Sequence, residues 1–218
     1  FDMNAGSITT ADNFETGTRA AIAGGTTTIL DFAEANEGEN LLQGVEAYHK
    51  KASGNCYCDY GFHMTITCLN KDTFNHMEKL ISDGIVSFKM YMAYDGMKVD
   101  DGTIYRVLKK ARDLGCIVGF HCENGDLLDV LIEENIQNGN LETKYHPLTR
   151  PNIVEKESVS RLADITKLSN SKSYVVHLSC RESLETVKMA REKNIDMIVE
   201  TCPQYLLLED NLYNKDKF

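Results

Sequence analysis

The sequence predicts an α/β fold built on a parallel sheet, and three observations predict it. Short apolar runs rich in β-branched and aromatic residues recur six times, over 26–32, 58–66, 87–94, 116–123, 173–180 and 196–202. Near-continuous apolar runs of this kind suit strands buried on both faces. Helix-like segments fill the gaps, so strand and helix alternate at roughly 30-residue spacing, the mark of βαβ units. Right-handed crossovers then leave an open doubly wound sheet or a (β/α)₈ barrel. No G-x-G-x-x-G follows the first apolar run, which weakens a dinucleotide-binding reading.

The elements run in order along the chain. Residues 10–23 open on a Thr/Asp start signal and end at Gly24 and Gly25, which reads as a helix with a glycine stop. The run 26–32 is the first strand, followed by a helix over 40–52, a strand over 58–66 and a helix over 72–82. The strand 87–94 leads to a helix over 101–114, the strand 116–123 and a helix over 125–138. Residues 139–151 contain Pro147 and Pro151 and read as a long loop, a feature that compact domains often use functionally. A helix over 155–168, the strand 173–180, a helix over 181–193 and the strand 196–202 complete the pattern.

Composition bounds the function. The chain has 218 residues, 42% hydrophobic and 26% charged, which is ordinary for a globular domain able to bury a core, and 1–218 is read as one domain. A formal net charge of −10 argues against nucleic acid, because phosphate binding wants a basic face. No apolar run is long enough for a membrane span, and no signal-peptide pattern opens the chain. The seven cysteines include no C-x-x-C pair, and several sit in apolar runs; they read as reduced, buried thiols of a cytoplasmic protein rather than as zinc ligands.

Three ionisable residues sit where packing alone would not put them. Lys89, His121 and His177 each lie in, or at the C-terminal end of, a predicted buried strand. Taken singly, a histidine there is more often a satisfied core residue, and a lysine usually extends its ammonium to solvent. An unpaired buried ammonium costs several kcal/mol or has its pKa driven down. Their coincidence on separate strands points to a metal or acid/base site, since parallel strand ends converge on one mouth in a barrel. A neutral lysine amine can take up carbon dioxide to form a carbamate whose two oxygens bridge two divalent metals, and neutral imidazoles are good zinc ligands. Two metals about 3.5–4 Å apart can share one hydroxide as nucleophile.

Five strings carry a resemblance. Ser-Phe-Lys-Met-Tyr-Met-Ala-Tyr (87–94), His-Cys-Glu-Asn-Gly-Asp (121–126), Tyr-His-Pro-Leu-Thr-Arg-Pro (145–151), Val-Val-His-Leu-Ser-Cys (175–180) and Glu-Thr-Cys-Pro-Gln-Tyr-Leu (200–206) run in order over essentially the whole chain. Together they resemble the D-hydantoinase and dihydropyrimidinase branch of the amidohydrolase superfamily. The Gln in Glu-Thr-Cys-Pro-Gln-Tyr favours this branch over allantoinases and dihydroorotases.

The resemblance implies a (β/α)₈ barrel and hydrolysis of a cyclic amide, opening a hydantoin or dihydropyrimidine ring to an N-carbamoyl amino acid. It implies two divalent metal ions, zinc by preference, with Lys89 carboxylated and bridging them and with His121 and His177 on the more exposed metal. Tyr94 would bind the substrate carbonyl and steady the oxyanion as water attacks. A homotetramer is implied for the full-length relative. Glu123, Asn124 and Asp126 are read as shaping the loop that follows the His121 strand, His63 and His146 receive no role, and His49 and His76 are expected to be exposed on helices. Two other readings stand beside this one: a non-catalytic dihydropyrimidinase-like assembly protein, against which Lys89, His121 and His177 speak, and another cyclic amidohydrolase such as an allantoinase.

The family pattern also contains a His-x-His pair on its first strand and an Asp on its eighth, and neither occurs here. Phe1-Asp2-Met3 resembles the segment immediately after that pair. The visible strands are therefore expected to be barrel strands two through seven, with the first and eighth strands and the family's small β-rich domain absent from this chain. Such a piece is expected to have little activity and exposed sheet edges.

Overall fold

The computed structural model describes residues 1, 4–5 and 8–214; Asp2 and Met3 of the opening motif, and the last four residues, lie outside the described residues. A two-stranded antiparallel ribbon, β1 (Asn4–Ala5) and β2 (Ile8–Thr9), precedes α1 (Phe14–Ala23), β3 (Thr28–Ala33), α2 (Leu41–Ala52), β4 (Asp59–Thr65), α3 (Thr73–Ser82) and β5 (Ser87–Tyr91). There follow α4 (Asp101–Leu114), β6 (Ile117–His121), α5 (Gly125–Gln137), α6 (His146–Thr149), α7 (Asn152–Ser169), β7 (Lys172–Val175), α8 (Arg181–Glu192) and β8 (Asp196–Val199). The fold is α/β with a six-stranded parallel sheet in the order β3-β4-β5-β6-β7-β8. The chain divides into two compact units, Phe1–Lys89 and Met90–Phe218, with the division falling inside β5.

In the first unit, β3 and β4 pair in register from Thr28↔Asp59 to Ala33↔Met64, and Thr65 of β4 pairs with Lys89 of β5. Its core gathers Phe14, Tyr48 and Phe62, whose rings meet edge to face, with Met64, Met77, Leu80 and Phe88. Each such side chain, fully buried, contributes about 1.5–3 kcal/mol. Helix starts are locally encoded: Asn40 caps α2 by accepting from the amides of Leu42 and Gln43, while Gln43 reaches back to the Asn40 amide.

In the second unit, α4 buries Ile104, Val107, Leu108 and Ala111, while α7 buries Leu162 and Ala163. The strand residues Val118, Phe120, Val175 and Met197 complete this core. Gly115 ends α4 at φ 70, a left-handed conformation that glycine adopts without cost. A small cluster of Ala93, Leu128 and Val154, with Leu131 against it, ties the turn after β5 to α5 and α7.

The strand ends are shorter than the apolar runs suggested. β5 stops at Tyr91 and β7 at Val175, so Tyr94 and His177 stand on the connections beyond them rather than in strands. Residues 139–151, expected as an irregular loop, contain a 3₁₀ turn at Thr143–Tyr145 and the short α6. His49 is exposed as expected, but His76 is half-buried on α3, with its Nδ1 shielded from solvent. Among the described residues no helix is long and apolar enough to cross a membrane.

Candidate active site

The site in the second unit grows from the C-terminal ends of successive parallel strands. β6 ends at His121, which is buried, and Cys122 and Glu123 leave it towards α5. Asn124 caps α5 by accepting the Leu127 amide at 3.1 Å. Gly125 lies so close to the turn after β5 that an added Cβ would stand 2.9 Å from Ala93 Cα and 3.1 Å from Met92 O. That turn carries Tyr94 at φ 76, and the loop beyond β7 carries His177 at φ 39. Non-glycine residues in this region are uncommon and store about 1–3 kcal/mol each, so surrounding contacts must hold them.

His121 and His177 face each other, with Nδ1 of the first 3.1 Å from Nε2 of the second. The other nitrogen of His121, Nε2, lies 2.7 Å from Glu123 Oε2, and Arg150 donates to the same oxygen through Nη1 at 2.6 Å. Burial alone would raise the Glu123 carboxyl, but the hydrogen bond from His121 and the charge of Arg150 hold it below the usual carboxylate range. An ionised carboxylate only accepts, so in this contact Nε2 of His121 is the donor. Tyr94 packs on His121 with ring centroids 4.8 Å apart, and the Arg150 guanidinium lies 5.6 Å over the Tyr94 ring. Burial, and then Glu123, push the Tyr94 phenol up, so it stays a neutral hydrogen-bond donor at ordinary pH.

These side chains line a cavity of about 920 Å³, whose wall also includes Tyr91, Glu155 and Tyr205. Such a volume is of the size that holds small-molecule ligands. His146 stands at its edge, its Nε2 accepting from Arg150 Nε at 3.1 Å, and its pKa is lowered by burial and then by Arg150.

Lys89 belongs to the first unit. It is 2% exposed, and its Nζ lies 5.8 Å from the Phe32 ring centre. Asp31 is buried on β3, and Glu34 just beyond that strand has its carboxyl raised by burial and by Asp31, against the lowering effect of Lys89. The buried lysine therefore has carboxylates within electrostatic reach. His63, left without a role by the sequence, makes a 2.5 Å contact from Nδ1 to Ser87 Oγ and stacks on Phe32.

The fold brings the sequence candidates His121, His177 and Tyr94 together in the second unit, while Lys89 lies in the first. Arg150 and Glu155 received no role from the sequence, and Glu123 none beyond shaping the loop. Among the described residues, no group of three or more histidines, cysteines or carboxylates is arranged to hold a metal. The His121–His177 pair nevertheless fits two corners of such a site. Two nitrogens bound tetrahedrally to one zinc at about 2.0–2.1 Å are separated by about 3.3 Å, close to the 3.1 Å between these nitrogens.

No protein-family model matches the chain. Individual relatives do. The chain is 44% identical over 219 residues to a D-hydantoinase of Geobacillus stearothermophilus, covering 100% of this chain and 46% of the relative. Among solved structures, a D-hydantoinase from Bacillus sp. AR9 superposes with a TM-score of 0.96 at 42% identity, covering 100% of this chain and 48% of the other. A dihydropyrimidinase from Brevibacillus agri NCHU1002 gives 0.96 at 40% identity, covering 99% and 47%. The chain spans about half the length of the curated relatives it matches.

Proposed function

We propose that this chain, similar over its whole length to D-hydantoinases and to a dihydropyrimidinase, belongs to that family and contributes the catalytic face of an enzyme that hydrolyses a small cyclic amide. The ring C–N bond of a hydantoin or dihydropyrimidine breaks. The oxygen of water goes to the carbonyl carbon and a proton to the leaving nitrogen, which leaves an N-carbamoyl amino acid. The observation that supports this reading best is the convergence of His121 Nδ1 and His177 Nε2 at 3.1 Å in the wall of the cavity.

On this reading His121 and His177 would hold a divalent cation, zinc by preference, and Lys89, carboxylated on Nζ, would serve as a further cation ligand. Bound there, the cations would polarise the substrate carbonyl and make water nucleophilic near neutral pH. Glu123 accepts from Nε2 of His121 and so orients its Nδ1 toward His177. Tyr94, a neutral phenol against His121, donates to the carbonyl oxygen as negative charge develops there. The six parallel strands are read as consecutive strands of a (β/α)₈ barrel. The assembly is read as a homotetramer, and the compartment as the cytoplasm, for which the seven free thiols speak.

The test is metal content, together with ring opening of dihydrouracil and hydantoin, in the full-length protein and its Lys89→Ala variant. Two metals per subunit, with turnover abolished by the substitution, support the reading. Turnover undiminished by Lys89→Ala, or a full-length protein without metal or activity, overturns it.

A further inference from the structure

The loop that carries His177 has almost no secondary structure of its own, so where its amides go is a complete accounting question. The Val176 amide donates to Phe120 O at 3.2 Å, continuing the sheet. The His177 amide donates to the Glu200 side chain at 3.3 Å and the Leu178 amide to the Glu200 carbonyl at 2.8 Å. The next two amides leave this side of the loop. Ser179 N donates to Glu155 Oε2 at 3.1 Å, Cys180 N to Glu155 Oε1 at 3.1 Å, and Ser179 Oγ to Glu155 Oε2 at 2.6 Å.

Glu155 sits in the first turn of α7, 24 residues before Ser179. Cys180 is the N-cap of α8, and its own side chain makes no capping bond. Glu155, from another helix, accepts the N-cap amide itself and the Ser179 amide before it, with both carboxylate oxygens engaged. Charge-assisted bonds of this kind are about twice as strong as neutral ones. Its carboxylate also has the sign that a helix N-terminus favours.

We infer that Glu155 is a positioning residue for His177: with Glu200 on the other side, it grips the loop and holds the left-handed backbone that brings His177 Nε2 to His121 Nδ1. The inference rests on the reading of the two histidines as cation ligands. Without the Glu155 jaw, the residue at φ 39 relaxes to an ordinary conformation, and the 3.1 Å spacing of the two nitrogens is lost. Ser179 is part of the same grip, because its hydroxyl makes the shortest of the three bonds.

The experiment is competition for Zn²⁺ against a chromophoric chelator in the full-length protein. It compares wild type with Glu155→Ala, Glu155→Gln, Ser179→Ala and His177→Asn, with amide exchange at Ser179 and Cys180 read in the metal-free state. Expected for Glu155→Ala is a loss of affinity of about 10–100-fold, the usual size for a group that orients a ligand. Glu155→Gln, which keeps one accepting oxygen, should lose less, and exchange at both amides should accelerate. Ser179→Ala provides a milder reading should Glu155→Ala fail to fold; it is expected to weaken Zn²⁺ binding several-fold. Affinity within twofold of wild type in the Glu155 and Ser179 variants, with His177→Asn impaired, would reduce Glu155 to a helix cap and overturn the inference. A His177→Asn variant that binds Zn²⁺ like wild type would instead sink the ligand reading beneath it.

Discussion

Arg150 and His121 share one oxygen of Glu123, at 2.6 and 2.7 Å, so a single carboxylate ties the connection before α7 to the end of β6. Glu123 is largely buried, and removing it leaves Arg150 without its shortest partner. Glu123→Ala is expected to destabilise the protein by about 2–4 kcal/mol, because the remaining charge keeps its burial but loses its compensation. Urea unfolding with a fixed m-value checks this; a change under 1 kcal/mol would mean that Arg150 finds another acceptor.

Tyr94→Phe removes a donor and little volume. If the phenol acts on developing charge, kcat is expected to fall about 10²–10³-fold with KM within a few-fold of wild type and the melting temperature unchanged. A rise in KM alone would assign Tyr94 to substrate binding only.

Gly125→Ala places a Cβ 2.9 Å from Ala93 Cα and 3.1 Å from Met92 O, against backbone that cannot rotate away. The expected cost is about 1–3 kcal/mol, as for other overpacked positions, and calorimetry reads it. The helix that moves is α5, so Tyr94, next to Ala93, should report the shift through altered tyrosine fluorescence.

Leu128→Ala empties the centre of the Ala93, Leu128 and Val154 cluster. Leucine deletions in buried sites cost about 2–5 kcal/mol, depending on how far the site collapses. Denaturant unfolding of the variant is expected to fall in that range.

Burial pushes the Cys116 thiol up to about 11 from 9.0. A thiol held neutral in the folded chain contributes stability that is fully present below the unfolded pKa, and it is lost as pH climbs from about 9 towards 11. Alkylation at pH 8 should therefore mark exposed Cys68 first and reach Cys116 only after unfolding. Mass spectrometry of partially labelled protein decides it, and equal labelling of the two would contradict the buried, protonated state.

The features legible in the sequence are those that burial dictates. Apolar runs announced all six parallel strands, and Lys89 and His121 stood out because an ionisable group in such a run needs a reason. Strand ends were less legible: His177 and Tyr94 continue apolar runs, yet the backbone turns left-handed at both, a tertiary effect that no local pattern encodes. Asn124 was legible as a loop-shaping residue and is a helix cap. Glu123 received the same reading, without its bonds to His121 and Arg150; Arg150 and Glu155 were not legible, because a charged residue in a polar stretch normally faces water. Their partners lie 24–27 residues away or on another element, a distance that a sequence read in short windows does not cross.

The two jaws on the His177 loop come from separate places, Glu155 on α7 and Glu200 just after β8. Neither can close until its own element has docked, so the loop takes its shape late in folding and surrenders it early in unfolding. If the full-length protein is active as proposed, mild heat or denaturant is expected to abolish turnover while its helical circular dichroism stays intact, with inactivation preceding melting.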